Sequence, residues 1–335
     1  MERRALPAAL ALGRFGVLML VAVAALVLGV LLDTSFGLVE MPLDAVWRAL
    51  TVDDGSQNRT IIWELRFPRA LVAAIVGASL AVSGAVMQAL TRNPLASPSL
   101  TGVSAGAGLA VVASLVIDPA RPLWLTPFIA FLGGALGGTV VFSLATRSVV
   151  TPIRLALAGF ATASLLLSLT TGLLILNGAI VGQVYFWLAG GVAGRSWQHV
   201  NVIVPWAIVG GAAAMLFARH LNILVLGEDV ARGLGLQTGR TRAGLMIVAI
   251  LLAAAAVAVA GPVGFVGLIS PHVARFLVGT DHRRLLPLAA TFGAGLVVWA
   301  DLVARAIQRP LEIPVGIVIA LLGGPFFLFL ARRNV

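Results

Sequence analysis

LNILVLGEDVARGLGLQTGR, residues 221–240, separates two long apolar blocks and concentrates charged residues between them. Gly227 interrupts the apolar run that precedes it. Glu228 and Asp229 follow at once, and negative charge favours the N-terminus of a helix. The stretch therefore predicts one or two short helices at a membrane surface, joined at Gly227.

The second half of this stretch has helical spacing. Val230 and Leu234 lie four residues apart and share one face, while Glu228 and Arg232 lie four apart on another, with the acid before the base. Gly235 suits a left-handed cap that ends the helix. An apolar ridge of this kind fits a groove on another protein. The alternative is an ordinary loop between two membrane spans.

The composition is that of a membrane protein. The chain has 335 residues, of which 60% are hydrophobic and 11% charged, whereas soluble domains have about 25% charged residues. Apolar stretches of about 20 residues recur along the chain, which indicates membrane-spanning helices. We therefore predict an all-α polytopic protein that forms one domain over residues 1–335.

Ten spans are predicted, and a short helix is expected in the polar segment after the first span, at about residues 43–50. Pro271 is expected to interrupt the eighth span. The spans lie at about residues 14–32, 70–90, 99–117, 124–145, 155–176, 200–218, 242–260, 264–278, 286–304 and 313–330.

The basic residues predict the orientation. An even number of spans places both termini on one side of the membrane. That side receives 15 of the 23 basic residues, and the other side receives eight. The positive-inside rule therefore places both termini in the cytoplasm, for a multi-pass protein of the cytoplasmic (inner) membrane. The same asymmetry explains the net charge of +10 without a nucleic-acid partner.

Several classes of function are excluded or disfavoured. Every basic residue is arginine, and a Walker A loop needs a lysine to hold phosphates, so energy from ATP requires a partner subunit. No pair of carboxylates lies within the predicted spans, which disfavours proton or sodium coupling; Asp301 is the single candidate. There is no cysteine, and no histidine and carboxylate set has metal-ligand spacing.

Polar residues cluster at the outer ends of two spans. In RFPR, residues 66–69, the arginines Arg66 and Arg69 lie three apart and either meet lipid phosphates or receive an acidic partner. Asp301 and Arg305 lie four apart, and a local ion pair is expected between them. A similar pair is expected between Arg309 and Glu312.

The inner ends carry fewer signals. Asn93 and Pro94 follow the second span and predict a turn, with a gate at the inner mouth as the functional alternative. His272 is expected to make a helix-packing hydrogen bond, and His282 to lie in a loop.

Four blocks of the chain together resemble the FecCD family, the permease subunits of type II ABC importers for iron–siderophores, haem and vitamin B12. They are residues 66–110, 226–235, 261–290 and 300–327. The resemblance implies a type II ABC importer permease fold with ten transmembrane helices in each subunit. Two such subunits, identical or related, surround a central pathway above two ATPase subunits.

The resemblance also implies roles for individual residues. Residues about 221–240 match the coupling helices that dock on the ATPase, through Gly227, Glu228, Ala231, Arg232, Leu234 and Gly235. The outer-surface arginines that receive acidic residues of a substrate-binding protein match Arg66, Arg69 and Arg305. The cytoplasmic gate matches Asn93, Leu95 and, more loosely, Thr151. Gly233 departs from the family, which often has a polar residue there.

The function implied is a permease subunit that moves an iron(III)–siderophore complex across the inner membrane and is not itself an enzyme. Residues 184–197 look more like the siderophore branch than the vitamin B12 branch. This chain is expected to bind no cofactor, while the partner ATPase subunits bind ATP and magnesium. The alternatives are a secondary carrier coupled to protons or sodium, and a membrane-embedded enzyme, for which no catalytic cluster is present in the sequence.

Overall fold

The computed structural model describes residues 8–37, 41–98, 102–145, 152–178, 181–307 and 311–333, which form helices and connecting loops without a β-strand. A π-helical turn, Ile61–Arg66, leads directly into α4. The fifteen helices are α1 Ala8–Ser35, α2 Leu43–Thr51, α3 Gln57–Thr60, α4 Phe67–Thr91, α5 Val103–Ile117, α6 Thr126–Ala145, α7 Pro152–Leu176, α8 Val181–Leu188, α9 Trp197–Leu216, α10 Ala218–Val225, α11 Glu228–Gly233, α12 Thr238–Ala260, α13 Val266–Val278, α14 His282–Ile307 and α15 Val315–Arg333.

Ten of these helices correspond one to one to the predicted spans. Seven are long and apolar enough to cross a membrane, and three shorter apolar helices, in α5, α13 and α15, complete the set. The chain is therefore a multi-pass membrane protein. The predicted short helix after the first span is confirmed as α2. We call the end of the bundle where α1 ends and α4 begins the outer end, and the opposite end the inner end.

Pro271 does not interrupt the eighth span, contrary to prediction, because it lies inside α13. A proline lacks the N–H that would bond to the carbonyl four residues earlier, which here belongs to Gly267. The side chain of Gln88 on α4 donates to that carbonyl at 3.2 Å. The neighbouring helix thus satisfies the acceptor that the proline leaves open.

Helix α4 forms the centre of the bundle and is buried along most of its length. It packs against α14, α12, α13 and α9. At its crossing with α14, a Cβ built on Gly77 would lie 2.1 Å from the Gly293 carbonyl oxygen, and one on Gly293 would lie 2.4 Å from that of Gly77. The two backbones therefore touch, which only glycine at both positions permits.

Glycines spaced by four residues, Gly102 with Gly106 and Gly133 with Gly137, pack α5 closely against α6. A Cβ on Gly106 would lie 2.3 Å from the Gly133 oxygen, and a Cβ on Gly137 would lie 2.5 Å from the Gly102 oxygen. Small residues at this spacing give van der Waals contact between backbones in lipid.

Candidate functional sites

At the outer end, Arg69 connects α4 to α14 and to the loop before α15. Its Nε and Nη2 donate to the two carboxylate oxygens of Asp301 at 2.8 and 2.9 Å. Its Nη1 donates to both carboxylate oxygens of Glu312 at 2.9 and 3.0 Å. A planar guanidinium that engages a carboxylate with two parallel hydrogen bonds is a strong, oriented interaction. One side chain thus fixes the relative positions of three segments.

Arg305 makes the equivalent connection to α1. Its Nη2 pairs with the Asp33 carboxylate and donates to the Asp33 backbone oxygen at 2.7 Å, while Nη1 donates to the Phe36 backbone oxygen at 2.8 Å. Arg66 donates to the backbone oxygens of Thr34 and Ser35 at 3.2 and 2.9 Å. We call Arg66, Arg69, Arg305, Asp33, Asp301 and Glu312 the outer ion network; its three positive and three negative charges balance.

The structure brings the three predicted docking arginines together, but it corrects the expectation that they are surface residues. Arg66, Arg69 and Arg305 are all buried, because carboxylates and helix-terminal carbonyls of the same chain accept their hydrogen bonds. Their role in docking stays a prediction.

The expected pair between Asp301 and Arg305 is confirmed, with 3.4 Å between Arg305 Nε and Asp301 Oδ2. Glu312 pairs with Arg69, whereas Arg309, its predicted partner, lies outside the described residues. Sequence reasoning missed Asp33 as a member of the network, since it lies 272 positions from Arg305.

At the inner end, α10 and α11 form the two short helices that the sequence predicts. Gly227 joins them with a φ of 120°, a conformation that favours glycine. Ala231 is buried against the bundle, whereas Val230 and Leu234 are 48% and 63% exposed. The predicted apolar ridge therefore exists and faces away from the bundle.

The termini of α11 are fixed by two polar arrangements. Glu228 accepts from Arg232 at 2.7 Å, as predicted, and from Arg242 on α12 at 3.0 Å. At the other end Gly235 has a φ of 79°, and the N–H of Leu236 donates to the Ala231 oxygen at 3.0 Å. This bonding is that of a glycine-capped helix terminus. The ridge is thus presented on a short helix held at both ends.

Asn222 on α10 links this segment to α14 and was not singled out from the sequence. Its Nδ2 donates to Asp281 at 2.7 Å, and its Oδ1 accepts the backbone N–H of His282 at 2.8 Å. The first N–H groups of a helix need such partners. The structure corrects the expectation that His282 is a loop residue, because it is buried in the first turn of α14. About 60 residues separate these partners, so no local pattern marks them.

The predicted turn after α4 is confirmed. Arg92 ends the helix with a φ of 50°, and the side chain of Asn93 accepts the N–H of Leu95 at 2.9 Å. One turn earlier, Gln88 accepts from Arg275 on α13 at 2.8 Å. This arrangement gives the turn a structural role; the gate role of Asn93 and Leu95 stays a prediction, and Thr151 lies outside the described residues.

His272 packs its ring edge-to-face on Phe326, with centroids 5.8 Å apart. Its Nδ1 is buried and has no hydrogen-bond partner in the described part of the chain, so the contact is a ring contact and not the expected hydrogen bond. Within the described residues, no group of three or more His, Cys, Asp or Glu side chains could hold a metal ion. The polar contacts described above hold helices together and, at the inner end, fix the helix that carries the exposed ridge.

Residues 25–333 match the FecCD transport family. An Fe(3+)-citrate import system permease protein of Bacillus subtilis, YfmD, is 45% identical over 316 residues, which cover 94% of each chain. A cobalamin import system permease protein of Halobacterium salinarum, BtuC, is 42% identical over 274 residues, 82% of this chain and 74% of the relative.

The fold also matches a solved structure. An inward-facing metal-chelate type ABC transporter superimposes with a TM-score of 0.81 at 28% sequence identity, covering 94% of this chain and 98% of the other. The arrangement of the ten membrane-spanning helices is therefore shared with a transporter of this type.

Proposed function

Because the chain belongs to the FecCD transport family, we propose that it is the permease subunit of an ABC importer that carries an iron(III) chelate across the cytoplasmic membrane. The observation that carries this proposal is the 45% identity to an Fe(3+)-citrate permease over almost the whole of both chains. A probable siderophore transport permease of Bacillus subtilis, YfiZ, at 42% identity over 86% of this chain, supports the same cargo class.

Cobalamin is the second candidate cargo, favoured by the similarity to the Halobacterium salinarum protein. Both cargoes are large metal chelates. We place iron chelates first, since the two relatives that match the larger share of this chain are named for iron or siderophore transport.

The energy for transport comes from two partner ATPase subunits, which bind ATP and magnesium; this chain binds no cofactor of its own. The exposed ridge of Val230 and Leu234 docks into a groove on the ATPase, as an apolar helix face does. Movement of α11 reaches α12 through the Glu228–Arg242 pair. The adjoining helix α10 passes the movement to α14 through Asn222. A ligand shifts a protein between two conformations only if it binds them with different affinity. ATP binds the partner ATPase and not this chain, so its effect on this chain passes through the docked ridge.

At the outer end, an extracytoplasmic binding protein delivers the chelate. Its acidic residues engage Arg66, Arg69 and Arg305. Glu312, whose side chain is 41% exposed, occupies the outward side of Arg69 until a carboxylate of the binding protein replaces it. A second permease subunit, identical or related, completes the pathway.

Reconstitution in proteoliposomes tests the function. The chain is co-expressed with its genomic ATPase and permease partners and supplied with the binding protein and radiolabelled ferric citrate. We expect uptake that requires ATP. Uptake driven by a proton or sodium gradient without the ATPase would contradict the importer and support a secondary carrier, with Asp301 the first residue to replace.

Leu234→Asp tests the coupling ridge in the same preparation, because it places a charge on the proposed docking face. We expect the variant to insert normally, to lose the co-purifying ATPase and to lose uptake. Leu311→Asp is the matched control for ATPase co-purification, which it should retain, since Leu311 is equally exposed, at 64%, at the opposite end of the bundle. ATPase retained by Leu234→Asp would move the docking site elsewhere while leaving the importer intact.

A further inference from the structure

A cavity of about 270 Å³ lies at the outer end, among α5, α6, α8, α9 and α12. Two arginines, Arg121 before α6 and Arg195 before α9, line it together with Trp124, Trp187 and Gln198, and none of its lining residues is acidic. This cavity is lined by none of the residues of the outer ion network, whose arginines are engaged with carboxylates and carbonyls. It is a basic pocket without a counter-ion among its walls.

The guanidinium of Arg121 is incompletely bonded. The residue is only 7% exposed, and its Nη1 donates to Thr126 at 3.1 Å. Its Nε and Nη2, and the Nε of Arg195, are buried without a hydrogen-bond partner in the described part of the chain. A buried donor left unpaired destabilises the folded state, and a charged donor does so more strongly. The pocket is therefore suited to an acceptor that the described segments of the chain do not supply.

Both arginines stay charged. Burial lowers the pKa of Arg195 to about 10, and the nearby positive charge of Arg69 adds to this effect. Burial also lowers the pKa of Arg121, which the carboxylate of Asp118 partly offsets. At neutral pH two positive charges thus face the cavity. Arginine pairs of this kind bind phosphate or carboxylate oxygens through charge-assisted hydrogen bonds.

The cavity continues into an apolar groove of about 440 Å³, with which it shares Trp124, Pro127, Gln198 and Ala258. Phe128, Phe131 and Trp206 line the groove further from the outer end. From Gln198 to Trp206 it follows α9 for about 12 Å at the helical rise of 1.5 Å per residue. Trp124, Phe128 and Trp206 are all exposed along this groove, as expected of side chains that face lipid near a membrane interface.

We propose that the cavity and groove together bind one anionic phospholipid from the outer leaflet, with its phosphate between Arg121 and Arg195 and an acyl chain along the aromatic groove. A small free anion would fill the cavity but leave the groove uncovered. A lipid matches both parts, because it joins a phosphate to an apolar chain. Two arginines and no acidic lining residue favour a headgroup of net negative charge over a zwitterionic one.

Native mass spectrometry of the purified complex, titrated with dioleoylphosphatidylglycerol in detergent, tests this site. We expect Arg121→Gln/Arg195→Gln to bind the lipid at least fivefold more weakly than wild type. Arg48→Gln is the matched control, since Arg48 is an exposed arginine on the same side of the membrane. This variant should bind the lipid as wild type does. Gln198→Trp keeps both arginines but fills the junction between cavity and groove, and it should weaken lipid binding as well.

Each result decides the proposal. Equal lipid binding by wild type and by the double arginine variant overturns the proposal. Loss of lipid binding in the double arginine variant with unchanged binding in Gln198→Trp also overturns it, because that result would indicate a site for the phosphate alone. Displacement of the lipid by millimolar inorganic phosphate or by ferric citrate would likewise assign the pocket to a free anion or to the cargo. If the double variant does not fold, the Gln198→Trp result alone decides.

Discussion

The structural role of Arg69 complicates any test of its proposed role in docking. Breaking a buried ion pair by removing one partner typically costs about 3–5 kcal/mol, because it leaves an unpaired buried charge. The pair with Asp301, almost fully buried on both sides, is of this kind, whereas Glu312 is partly exposed. Reversal of all three outer arginine charges would therefore unfold the outer end, and the docking role needs a gentler test at Glu312.

We expect Glu312→Gln to strengthen docking of the binding protein about two- to fivefold, the range of partly exposed ion pairs. The change removes the carboxylate that competes for the outward donor of Arg69 and leaves the bonds to Asp301 in place. The measurement is surface plasmon resonance of the binding protein on nanodisc-embedded complex, at low and high salt, since screening reduces the difference.

Asp44→Asn is the control for Glu312→Gln, because it removes an exposed carboxylate that pairs with Arg48 on the same side of the membrane. Its docking affinity should match wild type. Weaker docking by Glu312→Gln would show that the binding protein recognises Glu312 itself. The proposal that a carboxylate of the binding protein displaces Glu312 from Arg69 would then be wrong.

The residues at this end also mark the limit of sequence reasoning. Arg66, Arg69 and Arg305 stand out because charges are rare in an apolar chain, and the pair of Asp301 and Arg305 follows from helical spacing. The contacts of Asp33 and Glu312 depend on which helix ends meet. That is decided by tertiary packing across more than 200 residues, and no local pattern in a single sequence encodes it.

At the scale of helices, the crossing of α4 and α14 depends on the absence of side chains. We expect Gly77→Ala to destabilise the protein by about 1–3 kcal/mol, the usual cost of overpacking, because the new methyl group would meet the Gly293 backbone and not a flexible side chain. Thermal unfolding in detergent measures this loss.

Gly295→Ala is the control for Gly77→Ala. Gly295 lies on α14 two residues from the crossing, and a Cβ there would meet no atom within 4 Å. Its melting temperature should stay within one or two degrees of wild type. An unchanged melting temperature for Gly77→Ala would mean that the two helices can separate at no cost.

The helices themselves could be predicted, since a span of about 20 apolar residues has no other stable form in lipid. Whether Pro271 interrupts its helix could not be predicted from the apolar pattern. Whether a proline breaks a helix depends on what else can satisfy the open carbonyl, and here the amide of Gln88 comes from a helix 179 positions away. The same holds for Asn222, which bonds to the first turn of α14 from another element.

At the scale of the whole molecule, the two ends of the bundle differ in chemistry. The outer end holds an ion network with equal numbers of positive and negative residues, whereas the inner end presents an exposed apolar ridge and the excess of arginine found in the sequence. Ten spans and this asymmetry together favour an orientation with both termini, α10 and α11 in the cytoplasm. The location of every proposed partner follows from that orientation.

Single-cysteine labelling tests the orientation against a clean background, because the chain has no cysteine of its own. We expect Asp53→Cys, exposed in the loop between α2 and α3, to react with a membrane-impermeant maleimide in right-side-out vesicles. Asp229→Cys, exposed on α11, should react only after the vesicles are permeabilised, because the membrane separates it from the reagent. The reverse pattern would place the ridge of Val230 and Leu234 outside the cell, where no ATPase is available, and would remove the coupling role together with the topology.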